Sequence, residues 1–236
     1  MENYPHCEID SIESYPHQPK RLTLKIRLHQ LKLLEACLNL EDNNIKQLVK
    51  NHDQVDISTN IGFICDKVGS GRSFTVLSII SERPKLQSRL CHLPINNPKG
   101  AEIYVNTTVK VDSTVNPNII VVPRGIINQW KEYIDKHTDF KVQCIGPRVE
   151  IPTVTQETTS DIILVSDSRY NEFANLNALQ VFPRIFFDEP DTLSIAGCKP
   201  IKALFNWFVS ASYGNCQHPD GKNSYIYYKR HIELRG

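Results

Sequence analysis

The chain has 236 residues, 40% of them hydrophobic and 22% charged, which suffices for one substantial globular domain and argues against a disordered chain. Its net charge of +1 gives no general attraction to nucleic acid, so any such binding has to come from a local patch. No apolar run approaches the ~18 residues of a membrane span, and the first residues lack the basic-then-apolar order of a signal peptide, so the sequence predicts a protein that is neither membrane-embedded nor secreted.

Residues 1–20, with Pro5, Pro16 and Pro19, predict an irregular arm, and 21–236 the folded unit. Leu28, Leu31, Leu34, Ala36 and Leu38 mark an amphipathic helix from near His29-Gln30 to Glu41. An apolar run, Ile61 to Cys65, then leads through a glycine-rich turn into a second helical pattern beginning at Ser73. Residues 83–118 break the rhythm, and the alternation of Ile103, Val105, Thr107, Val109 and Val111 predicts a strand or hairpin inserted into the core. The core resumes with Asn118 to Val122, fully apolar after its first residue, and with the helix "GIINQWKEYIDKH". Further apolar strands are expected at Lys141 to Ile145, Asp161 to Val165, Arg184 to Phe187 and Trp207 to Val209, with a helical pattern from Ser168 to Leu179. Strands alternating with helices predict an α/β fold: a doubly wound, mostly parallel sheet flanked by helices, with a β-rich insertion.

Two stretches carry chemistry. In "ICDKVGSGRS" a strand, a glycine loop and a helix follow one another in the order a phosphate-binding loop requires. Gly69, Ser70 and Gly71 would let consecutive N–H groups turn onto phosphate oxygens, the following helix presents its positive end, and Ser73 sits where a hydroxyl holds Mg2+. Arg72 stands where a lysine is usual, and Asp66 where the pattern has its first glycine. In "RIFFDEPD" an apolar strand ends in Asp188-Glu189, at the edge where α/β folds bind ligands. Asp188 is placed to hold a metal and Glu189 to orient or deprotonate water; capping a helix or lining a solvated turn is the plainer alternative.

Taken together, "LHQLKLLEA", "DKVGSGRS", "IIVVPRGIINQWKEYI", "FFDEPD" and "FVSAS" stand in the order of the motifs of the first motor lobe of superfamily-two helicases and Swi/Snf-type translocases. Across roughly Leu28 to Ser212 the chain resembles that family, and in particular the helicase-like ATPases of large cytoplasmic DNA viruses. The resemblance implies a RecA-like lobe that binds ATP and Mg2+. It implies that Gln30 reads adenine, that Gly69 to Ser73 cradle the phosphates, that Ser73 and Asp188 hold the metal, and that Glu189 and Arg72 serve the chemistry. It further implies that Pro123 and Arg124 meet nucleic-acid backbone, DNA ahead of RNA, and that Ser210 and Ser212 couple hydrolysis to movement. A viral factory, a virion or the nucleus is the implied setting. The sequence stops before the second lobe that the family supplies, so a second lobe or a partner protein is expected to complete the motor.

Arg72, Pro190 inside the carboxylate motif and serine at the end of "SAS" depart from the family pattern. A guanidinium is wider than an ammonium and committed to a fork geometry, so phosphate binding should weaken and hydrolysis suffer more. The alternative is a non-enzymatic scaffold or transcription-complex subunit whose phosphate loop has decayed. Seven cysteines without a C-x-x-C pair predict reduced thiols, and neither Cys91-His92 nor Cys216 with His218 has zinc-site spacing. Trp130 reads as a packing residue on the face of Ile126, Ile127 and Ile134.

Overall fold

The computed structural model describes residues 12–42, 46–50, 53–57, 60–86, 88–95, 103–110 and 114–212. The first eleven residues of the arm, Val111, Cys216 and His218 lie outside these. The described chain runs α1 (Leu28–Glu41), β1 (Lys46–Lys50), β2 (Asp53–Ile57), β3 (Ile61–Cys65), α2 (Arg72–Glu82), β4 (Ser88–Ile95) and β5 (Ile103–Lys110). It continues through β6 (Asn118–Val122), α3 (Ile127–His137), β7 (Val142–Ile145), β8 (Ile162–Ser166), α4 (Tyr170–Leu176), β9 (Val181–Asp188) and β10 (Lys202–Ser210).

Six of these strands form one sheet in the order β3-β10-β9-β6-β8-β7, every pair parallel. The reason is legible in the strands: β6 and β8 are buried at every position, as a sheet covered on both faces demands. Successive residues alternate between two cores. Ile120, Val122, Leu164, Phe186 and Trp207 face the one built from α1, α2 and α3, while Ile119, Val121, Val165, Phe187 and Phe208 face the one containing Tyr170, Phe173 and Ala174 of α4. This is the doubly wound, parallel arrangement that the strand and helix pattern predicts, and it has the architecture of the RecA-like lobe that the resemblance implies.

The hairpin of β4 and β5 pairs antiparallel from Ser88↔Lys110 to Ile95↔Ile103, where the alternation places a β-rich insertion. Within 83–118, Leu86 and Val115 are nevertheless buried in the two cores, and Asn118 opens β6. Other details depart from expectation. β1 and β2 form a second hairpin, whose polar sequence "KQLVKNHDQVDI" gives no apolar alternation to betray it. The helix expected from Ser168 to Leu179 is shorter: a 3-10 turn, Asp167–Arg169, leads into α4, which ends at Leu176, and Leu179 is exposed. Trp207 to Val209 lies toward the carboxyl end of a strand of nine residues.

Opposite the strand ends that concern function, a buried polar network ties helix to sheet. The Arg184 guanidinium forks onto Glu41, Nε to Oε1 at 2.5 Å and Nη2 to Oε2 at 2.6 Å, with neither side chain exposed. Trp207 Nε1 also donates to Glu41 at 2.9 Å, and Arg184 Nη1 donates to the Arg83 carbonyl at 2.7 Å. A buried pair of this kind is tolerable because every charge finds geometry-matched partners. The arm joins the fold at Arg21, which pairs with Asp161 and Asp139 and lies 4.2 Å over the Phe140 ring.

Candidate nucleotide and nucleic-acid site

The sheet order makes neighbours of the strands whose ends carry the suspected motifs. β3 runs into the glycine loop, β10 into Ser210-Ala211-Ser212, β9 into Asp188-Glu189 and β6 into Pro123-Arg124, and these four strands are adjacent. All four loops therefore leave the carboxyl edge of one parallel sheet, where α/β folds bind ligands.

Gly69 (φ 82°) and Gly71 (φ 88°) both adopt left-handed backbone, which only glycine takes without strain. At Gly71 there is a second requirement: an added Cβ would collide with the amide nitrogen of Gln30. Gln30 is buried, donates from Nε2 to the carbonyls of Ser70 and Gly71, both at 3.2 Å, and accepts from the Arg27 amide at 2.9 Å. Its side chain thus braces the loop. Phe74 and Thr75 N–H close onto the Gly71 carbonyl at 2.9 and 3.2 Å, whereas the amides of Gly71, Arg72 and Ser73 take no partner among the described residues. Ser73 stands half-buried on the first turn of α2.

Arg72, expected on phosphates, is turned across the cleft. Nη1 donates to the Asp66 carbonyl at 2.5 Å, and Nη2 pairs with Glu189 Oε1. Asp66, the residue that replaces the first glycine of the usual pattern, is therefore part of what holds the guanidinium. Glu189 itself has φ 45°, a left-handed conformation that costs an ordinary residue about 1–2 kcal/mol. Its other oxygen, Oε2, accepts the Ala211 N–H at 3.3 Å. Pro190 fits because it occupies the second position of a turn closed by Thr192 N–H on the Glu189 carbonyl at 2.8 Å.

Asp188 is 6% exposed and accepts the indole N–H of Trp130, itself 2% exposed, on Oδ2 at 2.7 Å. Loss of hydration in this buried position raises its pKa to about 6, helped by the neighbouring Glu189; the Trp130 hydrogen bond, the Arg72 charge and the Glu189 N–H pull the other way. Sequence reasoning placed Trp130 in the core, which is correct for its ring, but missed the polar edge of that ring.

Ser210 is fully buried, with its hydroxyl 3.5 Å from Asp191 Oδ1 and accepting the Ser212 N–H at 2.9 Å. The end of β10 is thereby tied to the acidic segment through Asp191 and through Glu189, whose N–H also donates to the Val209 carbonyl at 2.7 Å. At the turn expected to meet nucleic-acid backbone, Pro123 is half-buried and Arg124 is exposed. The Arg124 amide is fixed by Asp167 Oδ1 at 3.1 Å, whose other oxygen accepts the Ser194 N–H at 3.2 Å. Asp167 was not singled out, although "ILVSD" repeats the pattern of "IFFD", an apolar strand ending in a carboxylate.

The residues present fit a nucleotide with a divalent cation. Among the described residues, Ser70 Oγ and Arg72 Nε are buried without partners and the first amides of α2 are unpaired, and Asp188 is a carboxylate deprived of water beside them. Anionic oxygens would satisfy the donors, and a cation would relieve the carboxylate.

No protein-family model matches the chain. A protein of Acanthamoeba polyphaga mimivirus assigned as a helicase is 32% identical over 82 residues, 34% of this chain and 9% of its own length. The TATA-binding protein-associated factor MOT1 of Saccharomyces cerevisiae is 26% identical over 147 residues, 61% of this chain and 7% of its own. A nuclease-deletion mutant of the Type ISP restriction-modification enzyme LlaGI, solved with a DNA substrate mimic, matches over 80% of this chain and 17% of its own, at 12% identity and a TM-score of 0.47. The chain thus spans under a tenth of the length of either curated relative.

Proposed function

We propose that the chain is the first, nucleotide-binding lobe of a viral superfamily-two helicase or translocase, binding ATP with Mg2+ at the carboxyl edge of its sheet and nucleic-acid backbone at the Pro123-Arg124 turn. The observation that carries this reading is the convergence on Glu189: Arg72 from the glycine loop and the Ala211 amide after β10 both bind its carboxylate. Three motifs that the sequence scatters over more than a hundred residues meet at one side chain.

Gln30 braces the loop that would hold the phosphates, and the amides of Gly71 to Ser73, which take no partner among the described residues, would donate to the phosphate oxygens. Asp188 and the Ser73 hydroxyl would hold Mg2+, which when bound offsets charge on the terminal phosphates. Glu189 would orient water once released from Arg72. While the pair persists, the water-orienting carboxylate and the phosphate-seeking guanidinium neutralise each other, and hydrolysis is weak. Turnover and directional movement need charge from the far side of the cleft, which a second lobe or a partner protein would supply. DNA is the favoured track over RNA.

The same ion pair supports a second reading, a lobe kept as a scaffold in a larger transcription complex, with its loop closed on itself. Calorimetry separates them, using Mg-ATP and metal-free ATP against the wild type, Arg72→Lys and Asp188→Ala. The nucleotide reading expects wild-type binding that tightens in Arg72→Lys, because an ammonium threads between phosphates more readily than a planar fork, and that loses its metal-dependent part in Asp188→Ala. Undetectable binding in all three would leave the scaffold.

A further inference from the structure

We propose that Trp130 is a positioning residue whose indole N–H links occupancy of the Pro123-Arg124 turn by nucleic acid to metal–nucleotide binding at Asp188. The inference rests on the reading above and adds a physical path between its two ligands.

The path is short. The turn closes with Ile126 N–H on the Pro123 carbonyl at 3.0 Å, and Trp130 N–H on the Ile126 carbonyl, also at 3.0 Å, continues it into α3. Ile127, Trp130 and Ile134 seat α3 in the core, so a displacement of the turn moves the helix against the sheet. Trp130 then reaches across to the end of β9, where its Nε1 holds Asp188 Oδ2 at 2.7 Å with both residues buried. An indole nitrogen is a donor and nothing else, and a buried N–H without an acceptor costs about 1–3 kcal/mol, so the two groups move together. Asp167 adds a second tie between the same segments, since one oxygen holds the Arg124 amide and the other the Ser194 amide beyond β9. Backbone contacts at the turn are thereby felt by the orientation of the metal-seeking carboxylate. Linkage makes the effect reciprocal: metal–nucleotide at Asp188 must strengthen nucleic-acid binding by the same factor.

The test replaces the N–H while keeping the ring. Trp130→Phe is the genetic variant; incorporation of 3-benzothienylalanine at position 130, in which sulfur replaces the indole N–H, preserves the volume should Trp130→Phe fail to fold. Affinities for Mg-ATP and for ATP in chelator are measured with and without a DNA duplex of mixed sequence. Indole 15N–1H resonances are followed in the wild type, where the Trp207 N–H, bonded to Glu41 and not to Asp188, is the internal reference. In the wild type, DNA should raise Mg-ATP affinity within the range of about 5- to 150-fold usual for coupled sites, and should shift the Trp130 resonance but not that of Trp207. In the benzothienyl protein the enhancement should fall toward one, with metal-free ATP and DNA affinities kept. Full coupling without the N–H, a Trp130 resonance indifferent to DNA, or an equal loss of metal-free ATP binding would overturn the inference alone. Absence of any nucleotide binding in the wild type would overturn the functional reading and the inference with it.

Discussion

Replacing Asp188 by asparagine should stabilise the protein at neutral pH. Burial lifts the carboxyl from 3.8 to about 6, so the folded state holds this proton more tightly than the unfolded chain does. The sign is the reverse of the usual salt-bridged aspartate. Below about pH 4 Asp188 is protonated in both states and costs nothing; between pH 4 and 6 the penalty for ionising it in the fold accumulates; above 6 it is complete. Two pKa units correspond to about 3 kcal/mol. Asparagine keeps an acceptor for the Trp130 N–H but carries no charge, so Asp188→Asn should exceed the wild type by about 3 kcal/mol at pH 7.5. At about 2–4 °C per kcal/mol for a chain of this size, that is a rise in Tm of about 6–12 °C. The assay is thermal unfolding at pH 7.5 and pH 4.5 in chelator, repeated with Mg2+, which should raise the wild type and leave the variant alone. A variant equal to or below the wild type at pH 7.5, or a difference that does not shrink at pH 4.5, refutes the reasoning.

Glu189→Gln removes the charge that holds Arg72, freeing the guanidinium for phosphate, so calorimetric ATP affinity should rise severalfold with no gain in phosphate release. Gly62→Ala drives a methyl into the Trp207 ring, which lies 2.7 Å or less from the new Cβ, and should lower the urea midpoint by the equivalent of about 1–3 kcal/mol. Glu41→Gln leaves the Arg184 charge buried and uncompensated at a cost of about 3–5 kcal/mol, most of which Arg184→Met in the same chain should recover; equal midpoints for the single and double variants would refute it.

The strands of the sheet were legible because a parallel sheet covered on both faces requires unbroken apolar runs, and "NIIVV", "IILVS" and "RIFF" supply them. The glycine loop was legible for a related reason, since its backbone chemistry depends on residue type at fixed spacing. What joins these pieces was not. The Arg72–Glu189 pair spans 117 positions and the Trp130–Asp188 bond 58, and nothing local to either residue specifies its partner. The arginine could be recognised as a departure from the family pattern, but the direction of its side chain follows from which strand ends are neighbours. The Trp130–Asp188 bond was missed, although the packing of the ring was read correctly, because helical periodicity reports the face a ring lies on, not where its N–H points. The β1–β2 hairpin escaped because it is polar and stands apart from the large sheet.

The order of the strands also dictates an order of events in synthesis. β3, the first strand of the large sheet to be made, reaches the other described strands of that sheet through β10, the last. Glu41 likewise waits for Arg184, 143 residues on, and for Trp207, 166 residues on. A nascent chain halted before Lys202 therefore carries the glycine loop on a strand with no neighbour in that sheet and a helix whose buried acid has only part of its partners. The Arg72–Glu189 pair closes a separation of 117 positions, and pairing across so long a loop is slow to form. Until β10 is made, the glycine loop and Glu189 have no shared strand through which the sheet can set the distance between them.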